Sequence, residues 1–122
     1  MKKADWKREI KKKCESIGTF KSEFLPVIST LADILEERDR VRTQYRSEGS
    51  QILVKKVSDR GAVNWVKNPL LTTWEDLNKD ALVYWRDLGL TPAGFKKLNV
   101  EAQKTPTESV GLEKLLEGLS DG

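Results

Sequence analysis

Residues Asn68 to Leu98 read NPLLTTWEDLNKDALVYWRDLGLTPAGFKKL, and the rest of the chain is arranged around this stretch. Asn68 has a side-chain oxygen able to accept from the first free backbone N–H groups of a helix. Pro69 has φ already set for a first helical position, where its missing N–H costs nothing. From there Leu70, Trp74, Leu77, Ala81, Trp85 and Leu88 recur at steps of three and four. Glu75, Asp76, Asn78, Lys79, Asp80 and Asp87 fall mostly on the other side. This pattern predicts an amphipathic helix with one buried face. Gly89 is suited to the left-handed conformation that ends a helix, Leu90 can fold back as a hydrophobic clasp, and Thr91 with Pro92 supplies a new cap and first position. A second short helix is expected from Pro92 to about Leu98.

Working back, Phe20 to about Arg46 carries the longest helical pattern. Phe24, Leu31, Arg38 and Tyr45 repeat every seven residues, interleaved with Val27, Ile34 and Val41, while Leu25, Ile28 and Leu35 widen the stripe. Such heptads predict packing against another helix. Pro26 suits the first turns or marks the true start. The mixed-sign run Glu36, Glu37, Arg38, Asp39, Arg40 and Arg42 is expected to be a solvated face with helix ion pairs. Between the two helices the period changes. Ile52 and Val54, then Val63 and Trp65, are β-formers on either side of the turn-like Ser58-Asp59-Arg60-Gly61, which predicts a small hairpin within 51–67 with Lys55, Lys56 and Arg60 at or near its tip. A basic hairpin can track phosphates, and lysines that discourage edge pairing look the same in sequence.

At the N-terminus, Trp6, Ile10 and Ile17 lie near one another on a helix from about Ala4 to Ser16. Lys7, Arg8, Lys11, Lys12 and Lys13 occupy its other faces. A basic amphipathic helix can neutralise DNA phosphates while Trp6 docks it on the body, and a solvated helix or frayed tail fits the same residues. Gly18 and Thr19 break and recap the chain in a way that superficially suggests a helix-turn-helix, yet the next helix is too long and too apolar to be a recognition helix. At the other end 99–109 has linker composition. Leu112, Leu115, Leu116 and Leu119 then form a weak helical stripe among acids, either a docking peptide for a partner or a helix closing this protein's own core.

Composition narrows the function. The 122 residues contain no His and one Cys, Cys14. Imidazole-dependent metal sites and general bases are thereby excluded, and an isolated thiol beside Lys12 and Lys13 gives little reason to expect nucleophilic chemistry. The eight glycines are scattered singly, which leaves no phosphate-cradling loop. Acids in the opening turns of the helix after Asn68 favour its macrodipole, so Glu75, Asp76 and Asp80 read as structural rather than as metal ligands. No enzyme activity, cofactor or metal is expected. No apolar run approaches the ~20 residues of a membrane span and MKKADWKREIKKK lacks a signal-peptide core, so a cytoplasmic protein is expected. Net charge is +3 but uneven: residues 1–21 hold eight Lys/Arg against Asp5, Glu9 and Glu15, whereas 99–122 hold Lys104 and Lys114 against five acids. That asymmetry points to an anionic partner at one end, with a solvated charged surface as the plainer explanation.

The Asn-Pro-Leu opening at Asn68, the amphipathic helix and the Leu88-Gly89-Leu90-Thr91-Pro92 exit resemble the small-subunit family of phage terminases. The resemblance implies a non-enzymatic oligomer, a ring, that binds the packaging start site on double-stranded phage DNA in the host bacterial cytoplasm. It would present that site to a large subunit carrying ATPase and nuclease. Many members bear a readable helix-turn-helix ahead of their oligomerisation helices, and here only Trp6 to Ile17 occupies that place.

The expected architecture is all-α. It comprises a basic N-terminal helix (1–19), a long antiparallel helical hairpin with a small β-hairpin connection (20–98), and a linker with an acidic tail (99–122). By charge alone, DNA contacts fall on Lys7, Arg8, Lys11, Lys12 and Lys13, with Lys55, Lys56 and Arg60 secondary. Phe24, Leu31, Ile34, Val41, Trp74, Leu77, Ala81 and Trp85 are expected in the core or subunit interface, ahead of any base-stacking role for the tryptophans. Under the resemblance the leucines of the tail would dock the large subunit. Two other readings stand beside it: a helical structural or adaptor oligomer that does not touch DNA, and a small DNA-binding transcription regulator.

Overall fold

Residues 1–99 are described by a computed structural model. The tail leucines Leu112, Leu115, Leu116 and Leu119 lie outside the described residues. In chain order there are α1 (Lys3–Ile17), a single 3-10 turn (Ser22–Phe24), α2 (Leu25–Ser47), β1 (Leu53–Val57), β2 (Val63–Lys67) and α3 (Pro69–Asp87). The chain is helical again over 92–99. The fold is mainly helical with one two-stranded sheet.

The long helix begins later than the hydrophobic pattern. Pro26 occupies its first turn; a regular turn ahead of it would drive the proline ring into the carbonyl four residues back, so Ser22–Phe24 takes the tighter 3-10 path instead. α3 runs antiparallel to α2. Arg42 lies over the Trp74 ring at 4.8 Å and Arg38 Nη1 donates to Asn78 Oδ1 at 3.4 Å, so rising numbers on α3 meet falling numbers on α2. α1 packs on α2 as well: Lys3 Nζ reaches Asp33 at 3.0 Å and Trp6 Nε1 donates to Asp39 at 2.9 Å. α2 is therefore sandwiched between its neighbours. Ile28, Leu31, Ala32 and Leu35 form one core with Ile10 and Cys14 of α1, Ala81 of α3 and Leu88. Each fully buried Leu or Ile contributes ~1.5–3 kcal/mol.

Local signals close the ends as expected. Asn68 Oδ1 accepts from Leu70 N at 3.0 Å. At the exit Gly89 sits at φ +76, and Leu90 N donates back to Trp85 O at 2.8 Å while its side chain packs on the core. A second tie is long-range: Thr19 Oγ1, in the α1–α2 turn, donates to Leu88 O at 3.0 Å. The chain beyond α3 approaches so closely that a Cβ on buried Gly94 would press on the backbone of Arg86.

Candidate nucleic-acid interface

Ile10 and Cys14, one turn apart, are fully buried and Trp6 is half-buried, so α1 is seated on the body by this face. Lys7, Arg8, Lys11, Lys12 and Lys13 are all exposed on its remaining faces. Three of them have partners within the helix: Arg8 with Asp5, Lys11 with Glu15 at 3.8 Å and Lys13 with Glu9 at 3.7 Å. Lys7 and Lys12 have no ion pair among the described residues. Exposed pairs of this kind contribute ~0–1 kcal/mol, so a phosphate can compete for the same cation.

The hairpin pairs Leu53 with Lys67, Val54 with Val66, Lys55 with Trp65, Lys56 with Asn64 and Val57 with Val63. Ser58 closes its turn, donating its N–H to Ala62 O at 2.8 Å and accepting from Ala62 N on Oγ at 3.0 Å. Lys55, Lys56 and Arg60 are exposed, with no ion pair among the described residues, whereas Lys67 is held by Glu75 at 2.7 Å. The two basic groups are not one patch. α1 lies along α2 from Asp39 back toward its start, while the hairpin follows the C-terminal end of α2 in the chain.

The core candidates divide by burial. Leu31, Val41 and Ala81 are buried, and Phe24, Ile34, Trp74, Leu77 and Trp85 are half-buried. Much of the α2 stripe is thus covered inside one chain. The run from Glu36 to Arg42 keeps its expected helix ion pairs, Arg40 with Glu36 at 3.2 Å and with Glu37 at 2.7 Å, but is a solvated face only in part. Glu37 and Arg40 are exposed, but Arg38 and Asp39 are half-buried and tie α2 to both neighbours. Partial burial pushes the Asp39 pKa up, yet hydrogen bonds from Trp6 and Arg38, the Arg38 charge and the N-terminal ammonium outweigh it and hold the carboxyl below its ordinary range. Cys14 is a core residue rather than a surface thiol. Burial pushes its pKa up, the hydrogen bond with Thr19 opposes this, and the nearby Glu15 charge adds to the rise.

Residue-type reasoning passed over the exposed apolar surface. Leu53, Val57, Val63 and Trp65 on the hairpin, and Leu82 and Val83 on α3, are exposed. The alternation of the strands carried the signal for the first four. Among the described residues there is no group of three or more His, Cys, Asp or Glu placed to hold a metal, and no helix long and apolar enough to cross a membrane.

No curated protein and no solved structure matches the chain. The family described as "Phage terminase, small subunit" matches residues 3–105, a span that takes in α1, α2, the hairpin and α3. The chain therefore belongs to the phage terminase small-subunit family, whose place is in phage DNA packaging.

Proposed function

We propose that this protein is a non-catalytic subunit that binds double-stranded phage DNA at the packaging start site and recruits the large ATPase-nuclease subunit, acting as a ring in the host bacterial cytoplasm. Family membership supports the role. The observation that carries the DNA assignment is the set of eight exposed cations on α1 and the hairpin, five of them, Lys7, Lys12, Lys55, Lys56 and Arg60, with no ion pair among the described residues. Phosphate contacts that are weak singly gain avidity when several subunits present them together. Recruitment of the large subunit falls to Leu112, Leu115, Leu116 and Leu119 in the acidic tail.

The test is the salt dependence of DNA affinity. Each lost phosphate contact lowers the slope of log K against log salt by about 0.9. A variant with Lys7, Arg8, Lys11, Lys12 and Lys13 all changed to Gln should therefore flatten it, and a Lys55, Lys56, Arg60 to Gln variant should flatten it less. A wild-type slope in the first variant removes α1 from the interface. An adaptor oligomer is the second reading, favoured by the ion pairs that already engage three α1 cations; absence of DNA binding even at low salt would select it.

A further inference from the structure

Arg38, Arg42 and Arg46 follow one another at steps of four on α2, so they share one stripe of the helix, about 6 Å apart at 1.5 Å per residue. The stripe opens into a surface cleft of about 440 Å³, lined by these arginines with Asp39, Thr43 and Trp74. The arginines are not equivalent. Arg38 donates to Asp39 Oδ1 at 3.0 Å and to Asn78 Oδ1 at 3.4 Å, and lies over the Trp6 ring. Asp39 also accepts from Trp6 and the N-terminal ammonium, so its charge is answered. Arg42 and Arg46 have no ion pair and no side-chain hydrogen bond among the described residues. The neighbouring acids are directed elsewhere. Glu75, next to Trp74, holds Lys67 at 2.7 Å, Glu36 and Glu37 hold Arg40, and Glu48 lines a different cleft with Gln44 and Gln51. Two positive charges are left over in one cleft.

Arg42 is half-buried, its guanidinium 4.8 Å from the Trp74 ring centroid and 5.2 Å from that of Tyr45. Aromatic faces fix the plane of a guanidinium and take the place of part of its hydration, and a planar, weakly hydrated fork of N–H donors matches the oxygens of a phosphate. Arg46 is exposed one turn further on. The stripe also fills a gap. Trp6 marks where the cover of α1 on α2 ends, at Arg38 and Asp39; Arg42 and Arg46 lie beyond it, in the last turns before the chain enters the hairpin. The basic groups of α1 and of β1–β2 thus have two further cations on the stretch of α2 between them.

We infer that Arg42 and Arg46, beside Trp74, form a phosphate-binding site, and that its ligand is a phosphate of the DNA backbone. The site rests on the proposed function for that source, since the same guanidinium chemistry would take a free phosphate. Backbone contacts of this kind fix the position of a duplex and carry no sequence information. A purely structural role, with Arg42 covering Trp74 and Arg46 facing the C-terminal dipole of α2, would act on stability and leave the salt slope of DNA binding alone.

The experiment measures duplex DNA affinity of the full chain against salt, with thermal unfolding alongside. Arg46→Gln removes a side chain with no partner to lose, so the thermal midpoint should hold while the slope of log K against log salt falls by about 0.9. Arg42→Gln with Arg46→Gln should lower it by about twice as much, and Arg42→Lys with Arg46→Lys should restore most of it, because the slope counts charges. A wild-type slope in both Gln variants, with the α1 variant still flattening it, would overturn the site and leave the proposed function standing. If the wild type binds no duplex even at low salt, the proposed function fails and the DNA source fails with it. The site itself then stands if inorganic pyrophosphate raises the thermal midpoint of the wild type above that of the double Gln variant at equal ionic strength, and falls if it does not.

Discussion

The side chain of Asn68 donates from Nδ2 to the carbonyl oxygen of Gln51 at 2.9 Å, joining the residue that starts α3 to the one that precedes the hairpin. Its Oδ1 caps the helix at Leu70 N and its own N–H donates to Ile52 O at 2.7 Å, all at a position only 5% exposed. One residue thus serves as a helix cap and as the clasp that holds the base of the hairpin. Asn68→Ala should remove both roles. A lost cap costs ~0.5–2 kcal/mol and a lost buried hydrogen bond ~1 kcal/mol, so thermal unfolding should show a loss of about 2 kcal/mol. Asn68→Ser keeps a cap acceptor without the reach to Gln51 and should fall between.

The core centred on α2 gives a graded series. Leu35 is completely buried, so Leu35→Ala should cost ~2–5 kcal/mol in urea denaturation. Trp85 is half-buried against the same core. Trp85→Ala should therefore cost no more than about 3 kcal/mol, the lower end for a large aromatic, and less than Leu35→Ala if its ring already touches solvent on one side.

Asp39 should make stability fall in acid. Its folded pKa is depressed, so the unfolded chain takes up a proton first as the pH drops. The contribution is complete above the ordinary carboxylate range near ~4 and is lost as pH falls through the lower folded value. Asp39→Asn should lower stability at neutral pH and flatten this part of the acid limb. A difference between the two proteins that stays constant from pH 7 to pH 2 would show that the carboxylate charge plays no part.

Gly94 should resist substitution. A methyl group there meets the backbone of Arg86, which has no rotamer to change, so the 92–99 segment must move away from α3. Gly94→Ala should cost ~1–3 kcal/mol by overpacking, measured as a lowered thermal midpoint, despite alanine's better helix propensity.

The start and stop of α3, the turn of the hairpin and the two-helix plan were legible in the chain, as was the family likeness carried by residues 68–98. Asn68, Pro69, Gly61 and Gly89 act on their own backbone within a few residues, so their effect needs no distant partner. Pro26 acts the same way and shortened the front of α2. The tertiary structure decided which surfaces are covered. Cys14 became core because α1 lies flat on α2, and Arg38 and Asp39 left the solvated face because Trp6 arrives from one side and Asn78 from the other. Much of the α2 stripe was covered within one chain, while the hairpin face and Leu82–Val83 were left bare. A hydrophobic period says that a residue is to be buried; only the packing of elements far apart in sequence determines which partner buries it.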